Sequence, residues 1–136
     1  MQDDAPSRAA AKRILIVEDH DLNLKLLRDI LEARGYATIT TKQGAAALPL
    51  ARDHQPDLIL MDLQLPDISG FEAVGRLKND ARTRAIPVVA VTAFAMVGDK
   101  DKALASGCDG YVAKPIAVRD FLDLVERFIR PNRDAG

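Results

Sequence analysis

The chain has 136 residues, 48% of them hydrophobic and 29% charged, a size and balance that suit one soluble globular domain with a single core. A formal net charge of −1 leaves no basic excess to neutralise phosphates, so nucleic acid is not expected as a partner. No run nears the ~20 apolar residues of a membrane span, the acidic start lacks a signal-peptide core, and Cys108 is the only cysteine. Together these point to a reducing, cytoplasmic setting with no membrane insertion.

Residues 1–11 mix Asp, Pro, Ser, Arg and Ala without period and read as a disordered tail, followed by one domain over 12–130. RILIV (13–17) is a β-branched run of the kind that forms a strand buried on both faces. From Asp21 to Arg34 the pattern is helical, with Asp21 as N-cap and Gly35 as the stop. At about 100° per residue, His20, Asn23, Leu24, Leu27, Ile30 and Leu31 share the expected core stripe, with Leu22 and Leu26 off it, one turn apart. ATITT (37–41) is a second strand and GAAALPLARDH (44–54) a second helix, in which Pro49 marks either a kink or a shortened start. DLILM (57–61) is the third strand, and Ser69 caps a helix to about Asp80 with Glu72 at the capping-box position. IPVVAVT (86–92) is the fourth strand and GDKDKALASG (98–107) a short helix stopped by Gly107. GYVAK (110–114) is the fifth strand, and VRDFLDLVERFI (118–129) an amphipathic last helix, ended by Pro131 and a flexible 131–136.

Strand and helix alternate five times with short connections, which implies right-handed crossovers and a parallel sheet covered on both faces. In such sheets the site lies beyond the carboxyl ends of the strands. Those ends carry Glu18 and Asp19, then Asp62, then Thr92, then Lys114. Two like unit charges 4 Å apart repel by ~4 kcal/mol at an effective dielectric of ~20. Three gathered acids therefore need protons or a cation, and all-oxygen ligands suit a hard divalent ion such as Mg²⁺. An aspartate can act as a nucleophile toward phosphorus, and Mg²⁺ and Lys114 can neutralise the charge that such an attack brings together. Thr92 can donate to a phosphoryl oxygen. Taken singly, Asp62 is as readily a turn former, Thr92 a helix cap and Lys114 a solvated charge; their joint placement argues for a site. Cys108 and His54 read as structural or surface residues, and His20 as a surface residue near the pocket rather than a ligand.

ILIVEDHDLN, LILMDLQLPDISGFE, VVAVTAFA and GYVAKPI resemble the signature segments of bacterial response-regulator receiver domains, over residues 13–129. The resemblance implies a flavodoxin-like, doubly wound five-stranded parallel sheet in the order 2-1-3-4-5 with five helices. It implies Asp62 as phosphoacceptor, with Mg²⁺ held by Asp19, Asp62 and the backbone carbonyl of Gln64, and by Glu18 mainly through water. It also implies Thr92 as the switch hydroxyl and Tyr111 as the switch aromatic, with Thr92, Ala93 and Lys114 around the phosphoryl group. Gln64 and Phe94 would flank the pocket and set water access. The family usually carries a cis peptide after its lysine, and an X-Pro bond such as Lys114–Pro115 can adopt one. His20 stands where Asn or Asp is common.

The function implied is that of a stand-alone, monomeric regulator in cell-cycle or cell-fate control. It would take a phosphoryl group from a histidine kinase, assist its own phosphorylation and dephosphorylation without being a conventional enzyme, and signal to a downstream protein. The alternative is a phosphorelay intermediate that passes the group to a histidine phosphotransferase. Leu22 and Leu26 would form the docking patch for the phosphodonor. A flavodoxin-like electron carrier fits poorly, because EDHD would repel a flavin phosphate and only 4% of residues are aromatic. A haloacid-dehalogenase-type phosphatase needs a second acid where Gln64 stands, and a non-phosphorylated pseudo-receiver would lack part of the acidic pocket.

Overall fold

The computed structural model describes residues 11–93 and 99–129. Five strands, β1 (Arg13–Val17), β2 (Ala37–Thr41), β3 (Leu58–Asp62), β4 (Val88–Thr92) and β5 (Gly110–Ala113), form one sheet. Every pairing is parallel and the order is β2-β1-β3-β4-β5, as expected. Helices α1 (Asp21–Ala33), α2 (Ala47–His54), α3 (Gly70–Lys78), α4 (Asp99–Ala105) and α5 (Val118–Phe128) connect or follow the strands.

The two-residue alternation of side chains along each strand divides the core in two. Ile14, Ile16, Leu58, Leu60, Val89 and Val91 pack with Leu24, Leu27 and Leu31 of α1 and Phe121 and Val125 of α5. Leu15, Val17, Ile59, Met61, Val88 and Ala90 face α2, α3 and α4. Strands β3 and β4 are buried along their whole length because both faces are covered.

Local chemistry explains where expectation and structure part. β3 begins at Leu58 and ends on Asp62, one residue later than the apolar run suggests. Asp57 serves the lead-in instead, its carboxylate accepting from the Arg13 amide at 2.9 Å. Asp21 is not the cap of α1 but its first residue; His20 occupies the N-cap without a side-chain hydrogen bond, and Asp21 pairs with Lys42. His20 is exposed rather than part of the core stripe, which Leu24, Leu27 and Leu31 form. Pro49 resolves as a shortened start: Gly44–Ala46 form a 3₁₀ turn, and Pro49 sits in the first turn of α2, where an amide has no intrahelical acceptor. Ser69 caps α3 as expected, its hydroxyl accepting from the Glu72 amide at 3.1 Å, but Glu72 turns outward to Arg76 at 2.8 Å. Gly35 and Gly107 end their segments at φ of 94° and 114°. The expected tail and carboxyl-terminal end lie, except for Ala11, outside the described residues.

At the amino end of the sheet, Lys78 gathers three acceptors. Its ammonium donates to the carbonyls of Arg84 and Ile86 at 3.2 and 2.8 Å and to Asp109 at 2.9 Å. Asp109 also accepts from the Val88 amide at 2.8 Å, so the end of α3 and the starts of β4 and β5 are tied together.

At the other end, Gly70 lets α3 begin against β3. A Cβ there would stand 2.5 Å from the Asp62 carbonyl oxygen and from the Leu63 Cα, both backbone atoms that cannot swing away. Gly70→Ala should therefore lower the urea midpoint, at a cost of about 1–3 kcal/mol, whereas Gly75→Ala, where nothing lies within 4 Å, should not.

Candidate phosphoryl and metal site

β1 and β3 are neighbours in the parallel sheet, so their carboxyl ends lie side by side. Glu18 and Asp62 both continue the alternation of the α1/α5 face, as does Lys114 after β5. That shared parity brings three charged side chains to one point. The Lys114 ammonium donates to Glu18 Oε1 at 2.9 Å and lies 3.6 Å from Asp62 Oδ2. Glu18 Oε2 accepts from the His20 amide at 3.1 Å, and Asp62 Oδ1 from the Gln64 amide at 3.0 Å. The Lys114–Pro115 peptide is cis, and the Lys114 amide donates to the Thr92 carbonyl at 2.7 Å.

Both acids are withdrawn from water: Glu18 is 1% exposed and Asp62 5%, with Asp19 half-buried beside them. Burial pushes the Asp62 carboxyl up to about 6; the Gln64 amide opposes this, the neighbouring Glu18 carboxylate reinforces it, and the Lys114 charge opposes it again. One ammonium thus does not offset the desolvation and the acid beside it. Glu18, Asp19 and Asp62 each bring a carboxylate oxygen within 4.8 Å of the others. A donor set of carboxylate oxygens, without nitrogen or sulfur, fits a hard divalent cation that keeps part of its water.

The remaining expected residues are spread over several elements. Thr92 is buried at the end of β4, and Ala93 follows it, exposed. Tyr111 stands in register with Ala90, half-buried against the α2–α4 face of the core, two residues along its strand from Ala113, Thr92's partner. Gln64 meets Asp62 through its amide. Phe94 lies outside the described residues. Leu22 and Leu26 are on the outer face of α1, 76% and 47% exposed. Cys108 is buried, and burial raises its thiol pKa. Two contributors went unread in the sequence: the His20 amide on Glu18, and Asp67, whose carboxylate accepts from the Gly44 and Ala45 amides. Backbone donors carry no side-chain signature, and an Asp after Pro looks like any turn residue.

A family model described as response regulator receiver domain matches residues 14–126. The polar-differentiation response regulator DivK of Brucella ovis is 52% identical over 118 residues, spanning 87% of this chain and 96% of that protein. Among solved structures, the receiver domain of a sensor histidine kinase from Pseudomonas aeruginosa is 30% identical, with a TM-score of 0.81 over 87% of this chain and 97% of that one. It carries a magnesium ion coordinated in its active-site cleft. The signal receiver domain of a histidine kinase from Syntrophus aciditrophicus is 31% identical, with a TM-score of 0.81 over 90% and 93% of the two chains.

The burial of Asp62 has a measurable consequence. Its carboxyl titrates at about 6 in the fold and near 3.8 in an unfolded chain, so folding favours the protonated acid. That contribution is complete below pH 3.8 and is lost as pH rises through 6. In metal-free buffer, Asp62→Asn should be more stable than wild type above pH 6 and should lose the advantage below pH 3.8. The gap should reach up to about 3 kcal/mol, at 1.36 kcal/mol per unit. Urea unfolding of both proteins across that range measures it.

Proposed function

The chain belongs to the response-regulator receiver family, and from that membership we propose that it is a phosphorylation-driven switch whose acceptor is Asp62. The observation that carries this reading is the meeting of Glu18, Asp19 and Asp62 with the Lys114 ammonium against two of the three possible charges at one sheet edge. An Asp62 oxygen attacks the phosphorus of a phosphohistidine on a partner kinase. The oxygen–phosphorus bond forms as the donor's nitrogen–phosphorus bond breaks, and the electron pair leaves with the imidazole. Bound at Asp19, Asp62 and the Gln64 carbonyl, with Glu18 acting through water, Mg²⁺ would supply neutralisation of the oxygens that approach one another. Lys114, 3.6 Å from Asp62, is close enough to follow the new charge onto a phosphoryl oxygen.

Thr92 then offers its hydroxyl to the phosphoryl group, with Ala93 leaving room beside it, and Tyr111 turns inward on the same sheet face. The surface built by α4, β5 and α5 changes shape, and a downstream protein that prefers one of the two shapes reads the signal. The likeness to DivK, a polar-differentiation response regulator, supports a role in polar differentiation. Leu22 and Leu26, exposed on α1, form the surface on which the kinase's phosphohistidine-bearing helices dock.

Incubation with acetyl phosphate and Mg²⁺ should add the mass of one phosphoryl group to the wild-type chain and none to Asp62→Asn, while Lys114→Ala should react more slowly. An unmodified wild type, or a modified Asp62→Asn, would refute the assignment. Leu22→Asp with Leu26→Asp should keep acetyl phosphate reactivity, the folded circular-dichroism spectrum and Mg²⁺ binding, yet accept phosphoryl groups from a kinase at least about tenfold more slowly, a loss of 1.4 kcal/mol in transition-state contact. Equal kinase transfer rates would remove the docking patch.

A further inference from the structure

The acids of the site are joined a second time, behind it. Across the front, Glu18 and Asp62 meet through Lys114. Around the back, the Glu18 amide donates to the Thr41 carbonyl at 3.0 Å, and the Thr41 hydroxyl accepts from the Gln43 amide at 3.2 Å. The next two amides, of Gly44 and Ala45, donate to the two carboxylate oxygens of Asp67 at 2.9 and 2.8 Å. Asp67 belongs to the loop between β3 and α3, which starts beside the site with the Gln64 amide on Asp62. The contacts therefore close into a ring, and Asp67 is the side chain that bridges its two loops.

The bridge is tight. A Cβ on Gly44 would stand 2.8 Å from Ile68 Cγ1 and 2.9 Å from Leu65 Cδ1, so the β3–α3 loop lies directly on the turn ahead of α2. The amides of Ala45 and then Gly44 hold the Asp67 carboxyl below the usual carboxylate range, so it bridges as an anion, and its hydrogen bonds are charge-assisted. An exposed carboxylate that gives both oxygens to backbone donors of another loop fixes the position of its own loop.

We propose that Asp67 is a positioning residue for the divalent-cation site: by fastening the β3–α3 loop to the turn ahead of α2, it sets where the Gln64 backbone stands relative to Asp62. This rests on the cation reading of the acid cluster and extends it to a residue that touches neither cation nor phosphoryl group. Groups that hydrogen-bond directly to metal ligands typically govern metal affinity by 10–100-fold, a control that Asp67 exerts one contact further out, through its loop.

Calorimetric Mg²⁺ titration of Asp67→Ala should show affinity at least about tenfold below wild type, with Asp67→Asn, which keeps one acceptor oxygen, in between. In the metal-free proteins the Gln64 amide should exchange hydrogen faster in Asp67→Ala than in wild type. Asp80→Asn is the control: that carboxylate also receives a backbone amide, from Arg82 at 2.8 Å, but at the far end of the sheet. It should lower stability and leave Mg²⁺ affinity unchanged. If wild type binds Mg²⁺ and Asp67→Ala binds it equally well, the positioning role is overturned while the cation site stands. If wild type binds none, the cation reading fails and this inference falls with it.

Discussion

Three carboxylates crowded at the edge of a sheet buried on both faces, with one ammonium set against two of them, is the constraint around which the rest of the molecule is arranged. Parallel strands align their carboxyl ends, so an acid closing one central strand must meet the acid that closes its neighbour. An antiparallel sheet of the same strands would place those residues at opposite ends. The crowding is thus a product of topology, and the buried strands beneath it keep the acids from moving apart. Each escape lies in chemistry: a proton on Asp62, or a dication shared among the oxygens.

The single ammonium is placed unevenly. Lys114 makes its short contact with Glu18 and stands farther from Asp62, so the more deeply buried acid is neutralised first. Asp62 keeps the backbone amide of Gln64 and an unsettled charge. A carboxylate in that state is a better nucleophile than one locked in a close ion pair, because less attraction must be given up when its oxygen bonds to phosphorus. The proposed acceptor and the residue that balances the site are accordingly different acids.

Most of this architecture was readable in the order of residues. Alternating apolar strands and amphipathic helices yield the covered parallel sheet, and the same reading places Glu18, Asp62, Thr92 and Lys114 along one edge. What escaped was set by the backbone or by neighbours distant in sequence. Asp62 belongs to β3 because β4 continues alongside it, and Val91 is its partner; nothing local distinguishes it from the first loop residue. Asp21 has the composition of a helix cap, but Lys42, brought close by the pairing of β1 with β2, draws its carboxylate into an ion pair. The His20 amide and the Asp67 bridge depend on loop geometry that side-chain identity does not encode.

The Lys78 cluster gives the two ends of the sheet unequal freedom. One amine, two carbonyls and the Asp109 carboxylate moor the carboxyl end of α3 to the amino ends of β4 and β5. A disturbance arriving at the opposite rim cannot dissipate by sliding whole strands, since their roots are anchored. It must instead be expressed as bending of loops and tilting of helix tips, leverage about a fixed base. Thr92 and Tyr111 sit on the two strands so moored, Thr92 at the rim where charge collects and Tyr111 partway back toward that base.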